Sequence, residues 1–159
     1  MSAPKYDMER LLDGIVNVYK DNLNAKIAEI QAEKADGMVL KTVDAAAYAV
    51  QELNGVTQNY NPYVFVGIED IQSVGLGPHT ADTLIMNVVL VLADEGEDVA
   101  IGRRLLRYSR AIRETLEKNW NDTRITKAQI TSLVPVDFKL QNSSQLFRAV
   151  GIEIRAAIG

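Results

Sequence analysis

A ten-residue apolar run constrains this 159-residue chain more than any other feature. From Leu84 to Ala93 every residue except Asn87 is apolar, so apolar side chains point to both sides of an extended backbone. A strand that is apolar on both faces needs cover on both faces, and we predict that it is the central strand of a sheet. Its length is about half of the roughly 20 residues that a membrane helix needs, so no transmembrane segment is predicted.

Three segments favour helices. Apolar residues recur every three or four positions over about residues 6–33 and again over about residues 98–121, which predicts two amphipathic helices. Between them, an alanine run over residues 44–53 predicts a short helix, with Asp44 as its N-cap and Gly55 as its stop signal.

Strand patterns surround the second long helix. We predict strands at residues 63–70 and 83–93, joined by a long flexible connection over residues 71–82, and two more at about residues 127–138 and 147–158. The order α-(α)-β-β-α-β-β predicts a single α+β domain over residues 1–159, with a small, mostly antiparallel four-stranded sheet flanked by helices. Its parts are the helix at 6–33, an insertion at 36–61 and a sheet–helix core at 63–159. Three helices are few for covering both faces of a four-stranded sheet, so we expect a neighbouring copy of the protein to cover one face.

Four acids follow the apolar run within five positions: Asp94, Glu95, Glu97 and Asp98. Carboxylates at a strand end can bind a hard cation or act as a general acid and base. Their spacing does not match a calcium loop, and the absence of cysteine removes thiolate ligands as well. We therefore expect these acids to be solvated and to stabilise the start of the following helix through its dipole.

No residue combination predicts catalysis. The only histidine, His79, lies in the connection between the first two strands, and no nucleophile motif accompanies it. We predict no catalytic, cofactor-binding or metal-binding residue. Val74 and Leu76 are apolar residues of this otherwise polar connection and need cover, so we assign them, with His79, as candidate contacts to a neighbouring subunit.

The second long helix carries the one basic cluster of the chain: Arg103, Arg104, Arg107, Arg110 and Arg113. A nucleic-acid surface is one interpretation. However, glutamates follow the last two arginines at i+4, and the net charge of −4 does not favour a general affinity for nucleic acid. A solvent face or a polar contact between subunits is the better interpretation, with Arg103, Arg107 and Arg110 as the candidate contacts.

The order and sequence character of five segments together resemble the pattern of a known protein family. They are a leading helix, a strand that opens after proline (NPYVFVGIED), a long apolar strand (LIMNVVLVL), a helix that ends in tryptophan (RRLLRYSRAIRETLEKNW) and a closing strand (AVGIEIRA). This arrangement resembles the tail terminator and neck proteins of tailed bacteriophages. The resemblance spans residues 63–159 and the first helix, and it rests on architecture without a diagnostic short motif. The long first helix and the insertion at 36–61 depart from compact members.

The resemblance implies a structural ring, typically a hexamer, that caps the tail tube and meets the head–tail connector protein. It also implies a tail-tube neighbour, a sheath neighbour in a contractile tail, DNA that passes through the lumen without specific binding, and no cofactor or membrane partner. Such a protein is made in the host cytoplasm and resides in the tail or neck of the virion. Two alternatives are a head-completion or connector subunit of the same particle, and a small metal-dependent enzyme that uses the acids at 94–98.

Overall fold

The part of the chain that the structure describes contains two long helices and one sheet. The computed structural model describes residues 8–52, 59–74, 81–94, 99–120, 125–132, 136–139 and 146–158. In chain order the elements are α1 (Met8–Lys34), β1 (Tyr48–Val50), β2 (Tyr63–Val74), β3 (Ala81–Asp94), α2 (Ile101–Asn119), β4 (Ile125–Ser132), β5 (Val136–Lys139) and β6 (Leu146–Ile158).

The sheet confirms the α+β class but is larger than predicted. It has six strands in the order β1-β2-β3-β6-β4, and β5 pairs with β6 beyond β4. All pairs are antiparallel except β1 with β2, so the sheet is mixed, and the prediction of four strands is wrong. The apolar run forms most of β3, which pairs with β2 on one side and β6 on the other. Its interior position in the sheet is therefore confirmed.

The predicted short helix over residues 44–53 is wrong. The side chain of Asp44 accepts a hydrogen bond from the backbone N–H of Ala46 (2.8 Å), and its carbonyl accepts one from Ala47 (2.9 Å), which closes a turn instead of capping a helix. Residues 48–50 then pair with residues 64–66 of β2. The backbone partners that β2 offers outweigh the local helix preference of alanine, which is worth only tenths of a kcal/mol per residue.

Other boundaries differ by less. α1 ends at Lys34, one residue beyond the predicted end, and Ala35 (φ +46°) and Gly37 (φ +80°) after it adopt left-handed backbone. α2 begins at Ile101, about three residues later than predicted, with Ala100 at the N-cap position. The predicted strand at 127–138 consists of β4 and β5, which are separate strands along the same edge of β6.

The connection between β2 and β3 is shorter than predicted. The strands pair up to Val74 and Ala81, so residues 71–74 and 81–82 belong to the hairpin ladder and not to a loop. Neither helix in the described part of the chain has an apolar stretch that could cross a bilayer.

Both helices lie on one face of the sheet. Along β3, the residues Leu84, Met86, Val88 and Leu90 are fully buried and share a core cluster with the apolar stripes of α1 and α2. On the opposite face, the middle rows contain half-buried Asn87 and other partly exposed residues. The helices contact β2, β3 and β6, and they therefore cover the face that carries Leu84, Met86, Val88 and Leu90.

One glycine is required by close approach between strands. Gly151 of β6 lies opposite Val89 of β3, and a Cβ added there would come 2.3 Å from the carbonyl oxygen of Val88. Because that oxygen is backbone, no side-chain movement can make room.

Candidate functional site

Residues 36–43, here called the strap, follow α1 directly and contact both helices. Two α1 amides hold it from one side. The side chain of Asn24 accepts a hydrogen bond from the N–H of Val43 (2.8 Å) and donates one to its carbonyl (3.0 Å), while Gln31 accepts one from the N–H of Leu40 (2.9 Å). The amide of Asn24 thus replaces the partner strand that an extended backbone needs, and Leu40 and Val43 are buried beneath the strap.

The strap is tied to α2 by one ion pair and two carbonyl contacts. Arg107 donates to both carboxylate oxygens of Asp36, and it is only 8% exposed. The hydroxyl of Tyr108 donates to the carbonyl of Lys41 (2.8 Å), and the guanidinium of Arg104 donates to the strap carbonyl of residue 39. Every contact uses a backbone or carboxylate oxygen of the strap as acceptor, so α2 supplies the donors.

The Asp36–Arg107 pair sets the protonation of both groups. The hydrogen bond from Arg107, followed by the bond from the N–H of Met38 (3.2 Å), lowers the pKa of Asp36 well below its ordinary value. The same hydrogen bond raises the pKa of Arg107. Burial raises the pKa of the Tyr108 hydroxyl to about 12, so this hydroxyl remains a hydrogen-bond donor at neutral pH.

A second arginine links α2 to the end of α1. Arg110 binds both carboxylate oxygens of Glu33 (2.8 and 3.1 Å) and one oxygen of Glu114 (3.1 Å). Hydrogen bonding to Glu33 and then to Glu114 raises the pKa of Arg110, and the bond from Arg110 lowers the pKa of Glu33. The i+4 pairing of this arginine with Glu114 is present, but Arg110 makes one hydrogen bond to Glu114 and two to Glu33 of α1.

Side chains of α2 and the last residue of α1 line a shallow basic groove. Lys34, Arg103, Leu106, Arg107 and Arg110 line a space of about 360 Å³. Leu106 is 63% exposed, and Arg103 is exposed with no ion-pair partner among the described residues. Of the three arginines predicted as contacts, the structure therefore gives two to carboxylates of the same chain and leaves Arg103 facing outward.

The remaining predicted positions are described only in part. Val74 is the last residue of β2, and Asp94 is the last of β3. Leu76, His79 and the acids at 95, 97 and 98 lie outside the described residues. Within the described ranges, no group of three or more histidine, aspartate or glutamate side chains is placed to hold a metal ion.

The sheet face opposite the helices combines paired polar groups with apolar surface. Asn87 donates to Glu69 (3.0 Å), and Arg155 donates to Glu153 (2.7 Å). Phe65, which is half-buried, lies over Gly67, where an added Cβ would come 2.6 Å from its ring. Towards the β2 start, the same face becomes buried, with the ring of Tyr63 edge-on to that of Phe147 at 6.4 Å.

Among the described residues, the outer edge of β2 has hydrogen-bond partners only in its first half. β1 pairs with residues 64–66, and the N–H of Gln51 donates to the carbonyl of Val66 (2.8 Å). The Gln51 side chain then accepts from the N–H of Ile68 (2.9 Å) and donates to its carbonyl (3.3 Å). Gln51 thus ends the pairing that β1 begins.

Sequence reasoning missed the strap and the role of Gln51. The only available signals were Asn24 and Gln31, two amides beside the apolar stripe of α1, and neither identifies a partner. No protein-family model matches this sequence, and no curated protein shows significant similarity to it.

Proposed function

We propose that this protein is a structural subunit of a tailed-phage particle: a tail terminator or neck ring that caps the tail tube and joins it to the head connector. The observation that carries this proposal is the partly exposed centre of the sheet face opposite the two helices. α1 and α2 both lie on one face, and over the middle rows of the other face Asn87, Val89 and Glu153 are only half-buried. A sheet of this kind gains a second layer when another copy packs against it.

The chemistry of the open face suits a protein contact. Phe65 and Val89 provide partly exposed apolar surface near its centre. Beside them, the side-chain N–H of Asn87 donates to Glu69, while the buried Asn87 Oδ1 has no hydrogen-bond partner among the described residues and could accept one from a neighbouring copy. Apolar surface mixed with polar groups that can form further hydrogen bonds is the usual composition of a subunit interface.

The helical layer suits the outside of a rigid building block. The strap and the Arg107 and Arg110 ion pairs join α1, α2 and the intervening chain, so the two helices cannot move independently without breaking several polar contacts. Arg103 and Leu106 remain exposed on α2 and offer a second contact surface. Arginine beside an apolar side chain is frequent at protein interfaces.

The partners in this proposal are the tail tube, the sheath of a contractile tail and the head–tail connector protein, and the site of action is the virion. DNA passes through the lumen without specific binding, and the net charge of −4 favours passage over adhesion. A head-completion or connector subunit of the same particle has the same requirements, and antibody labelling of purified particles distinguishes the two positions.

Native mass spectrometry and negative-stain microscopy of the purified protein test the proposal. A hexameric ring of 17.6 kDa subunits has a mass of about 106 kDa. Val89→Lys on the open face should produce a folded monomer, whereas Ala25→Lys, on the exposed side of α1, should leave the ring intact. A wild-type protein that stays monomeric at every concentration, alone and with its particle, would refute the ring.

A further inference from the structure

We propose that neighbouring copies join through their sheet edges, with residues 70–74 of β2 in one copy pairing antiparallel with residues 125–129 of β4 in the next. This inference rests on the proposed ring and adds a second contact between copies to the one on the open face. The second contact is backbone pairing at the sheet edges.

The first edge is the outer edge of β2 over residues 70–74, here called the window. β1 and Gln51 occupy the outer edge of β2 from Val64 to Ile68. β2 then continues through Val74, and over residues 70–74 it pairs only with β3 among the described strands. Each unpaired strand edge presents alternating N–H and C=O groups that need partners. The window is about five residues long, which is a common strand length.

The second edge is β4. It pairs with β6 on one side and with no described strand on the other. Its sequence, ITKAQITS, contains one charged residue, Lys127, and no proline. Proteins normally protect long exposed edges with several charges, proline or a bulge directed outward. β4 has one register shift, between Ile125 and Lys127, and from Lys127 to Ser132 its pairing with β6 is regular. This regular edge, with a single charge, is suited to pairing with another strand.

The two edges lie at the same height in the sheet. Following the register across the strands, Lys127 aligns with Ala157, which aligns with Thr83 and then Gln72. By the same route, Gln129 reaches Asp70.

The strand directions also fit. β4 runs opposite to β2, because three successive antiparallel pairs separate them. A copy placed at the side by rotation about an axis along the strands therefore meets its neighbour in antiparallel pairing, with Lys127 opposite Gln72 and Gln129 opposite Asp70.

Each copy has one edge of each kind, so the contact is head to tail. Such a contact forms a ring when the rotation between copies closes. The pairing would also place Asp70 and Lys127, which carry opposite charges, at diagonal positions across the interface, where such pairs are favourable.

Disulfide trapping tests the contact directly, because the chain contains no cysteine. The variant Gln72→Cys with Lys127→Cys places both thiols in every copy. Within one copy these positions are three strand spacings apart, about 14 Å, which is too far for a disulfide. Oxidation should therefore give a reducible ladder of covalent oligomers that ends at the ring size.

The matched control is Gln72→Cys with Thr131→Cys. Position 131 lies on the same edge but four residues further along, about 13 Å from the expected partner. It should cross-link at least tenfold less. A ring-sized mass with no ladder, or with equal ladders from both pairs, would overturn the edge pairing and leave the ring. A monomer at all concentrations in sedimentation would overturn both.

Hydrogen exchange of the unmodified protein gives a second test that does not depend on the folding of a variant. Amides with outward N–H groups in residues 70–74 and 125–129 should exchange at least tenfold more slowly in concentrated than in dilute protein. Equal exchange at both concentrations, with a ring present in the concentrated sample, would also overturn the edge pairing.

Discussion

Asn24, a half-buried residue of α1, should be one of the most important polar side chains for stability. Its amide provides both hydrogen-bond partners of Val43, which is 2% exposed. Each intramolecular hydrogen bond contributes about 0.5–1.5 kcal/mol net, so two contribute about 1–3 kcal/mol. Asn24→Leu keeps the approximate size, removes both bonds and regains only tenths of a kcal/mol of helix preference.

Urea unfolding followed by tryptophan fluorescence measures this loss. Trp120 is the only tryptophan and packs against the core, so its emission reports global unfolding. A loss of 2 kcal/mol would lower the melting temperature by roughly 4–8 °C in a chain of this size. Asn22→Leu is the matched control, because Asn22 donates only to the Val18 carbonyl of its own helix. It should change stability by less than about 0.5 kcal/mol.

Asn24→Asp separates the two hydrogen bonds. The introduced carboxylate can still accept from the N–H of Val43, but it faces the Val43 carbonyl without a proton to donate. Its pKa in the folded protein should therefore be raised, and the stability of this variant relative to the wild type should be greatest at low pH and fall as pH rises through that pKa. Equal unfolding midpoints for wild type and Asn24→Leu, or a pH-independent difference for Asn24→Asp, would refute this account of the strap.

Three further predictions follow from burial, close approach and charge. Leu90→Ala should cost about 2–5 kcal/mol in denaturant unfolding, because Leu90 is fully buried on an interior strand, and an unchanged midpoint would contradict its position. Gly151→Ala should destabilise by about 1–3 kcal/mol in the same assay, since the new methyl group meets the Val88 carbonyl, and a neutral result would mean that β3 and β6 can separate there. Because the pKa of Asp36 is lowered in the folded protein, its contribution to folding stability is present above the unfolded-state pKa of about 3.9 and is lost as pH falls below that value. Acid unfolding should show this loss for the wild type and not for Asp36→Asn. Equal pH profiles would show that Arg107 does not stabilise the strap.

The parts of the fold that sequence reasoning predicted correctly are those with a local repeat. The alternation in β6, the two-sided apolar run of β3 and the stripes of α1 and α2 each follow from residues two to four positions apart. The i+4 pair of Arg110 with Glu114 is local in the same sense. Such patterns need no knowledge of the partner element.

The parts that failed depend on distant partners. Residues 48–50 look helical by composition, and only the free backbone of β2 turns them into a strand. The strap has no repeat of its own, and the partner of Asp36 lies 71 residues away on α2. For the same reason, the arginines appeared available to a partner, whereas carboxylates from the end of α1 and from the strap already bind two of them.

The position of β6 has a consequence for how this chain folds during synthesis. β6 pairs with β3, β4 and β5, yet it is the last of the six strands to be made. Leu146 follows Asp94 by 52 residues, so at about 5–20 residues per second the ribosome needs roughly 3–10 s to deliver it after β3 is complete.

During that interval, one full edge of the most apolar strand lacks its partner. The nascent β2–β3 hairpin is therefore the species most exposed to aggregation and the one that a chaperone would meet. A heterologous expression host that translates slowly between residues 94 and 146 should give less soluble protein than one that translates this stretch quickly, even though the finished molecule is the same.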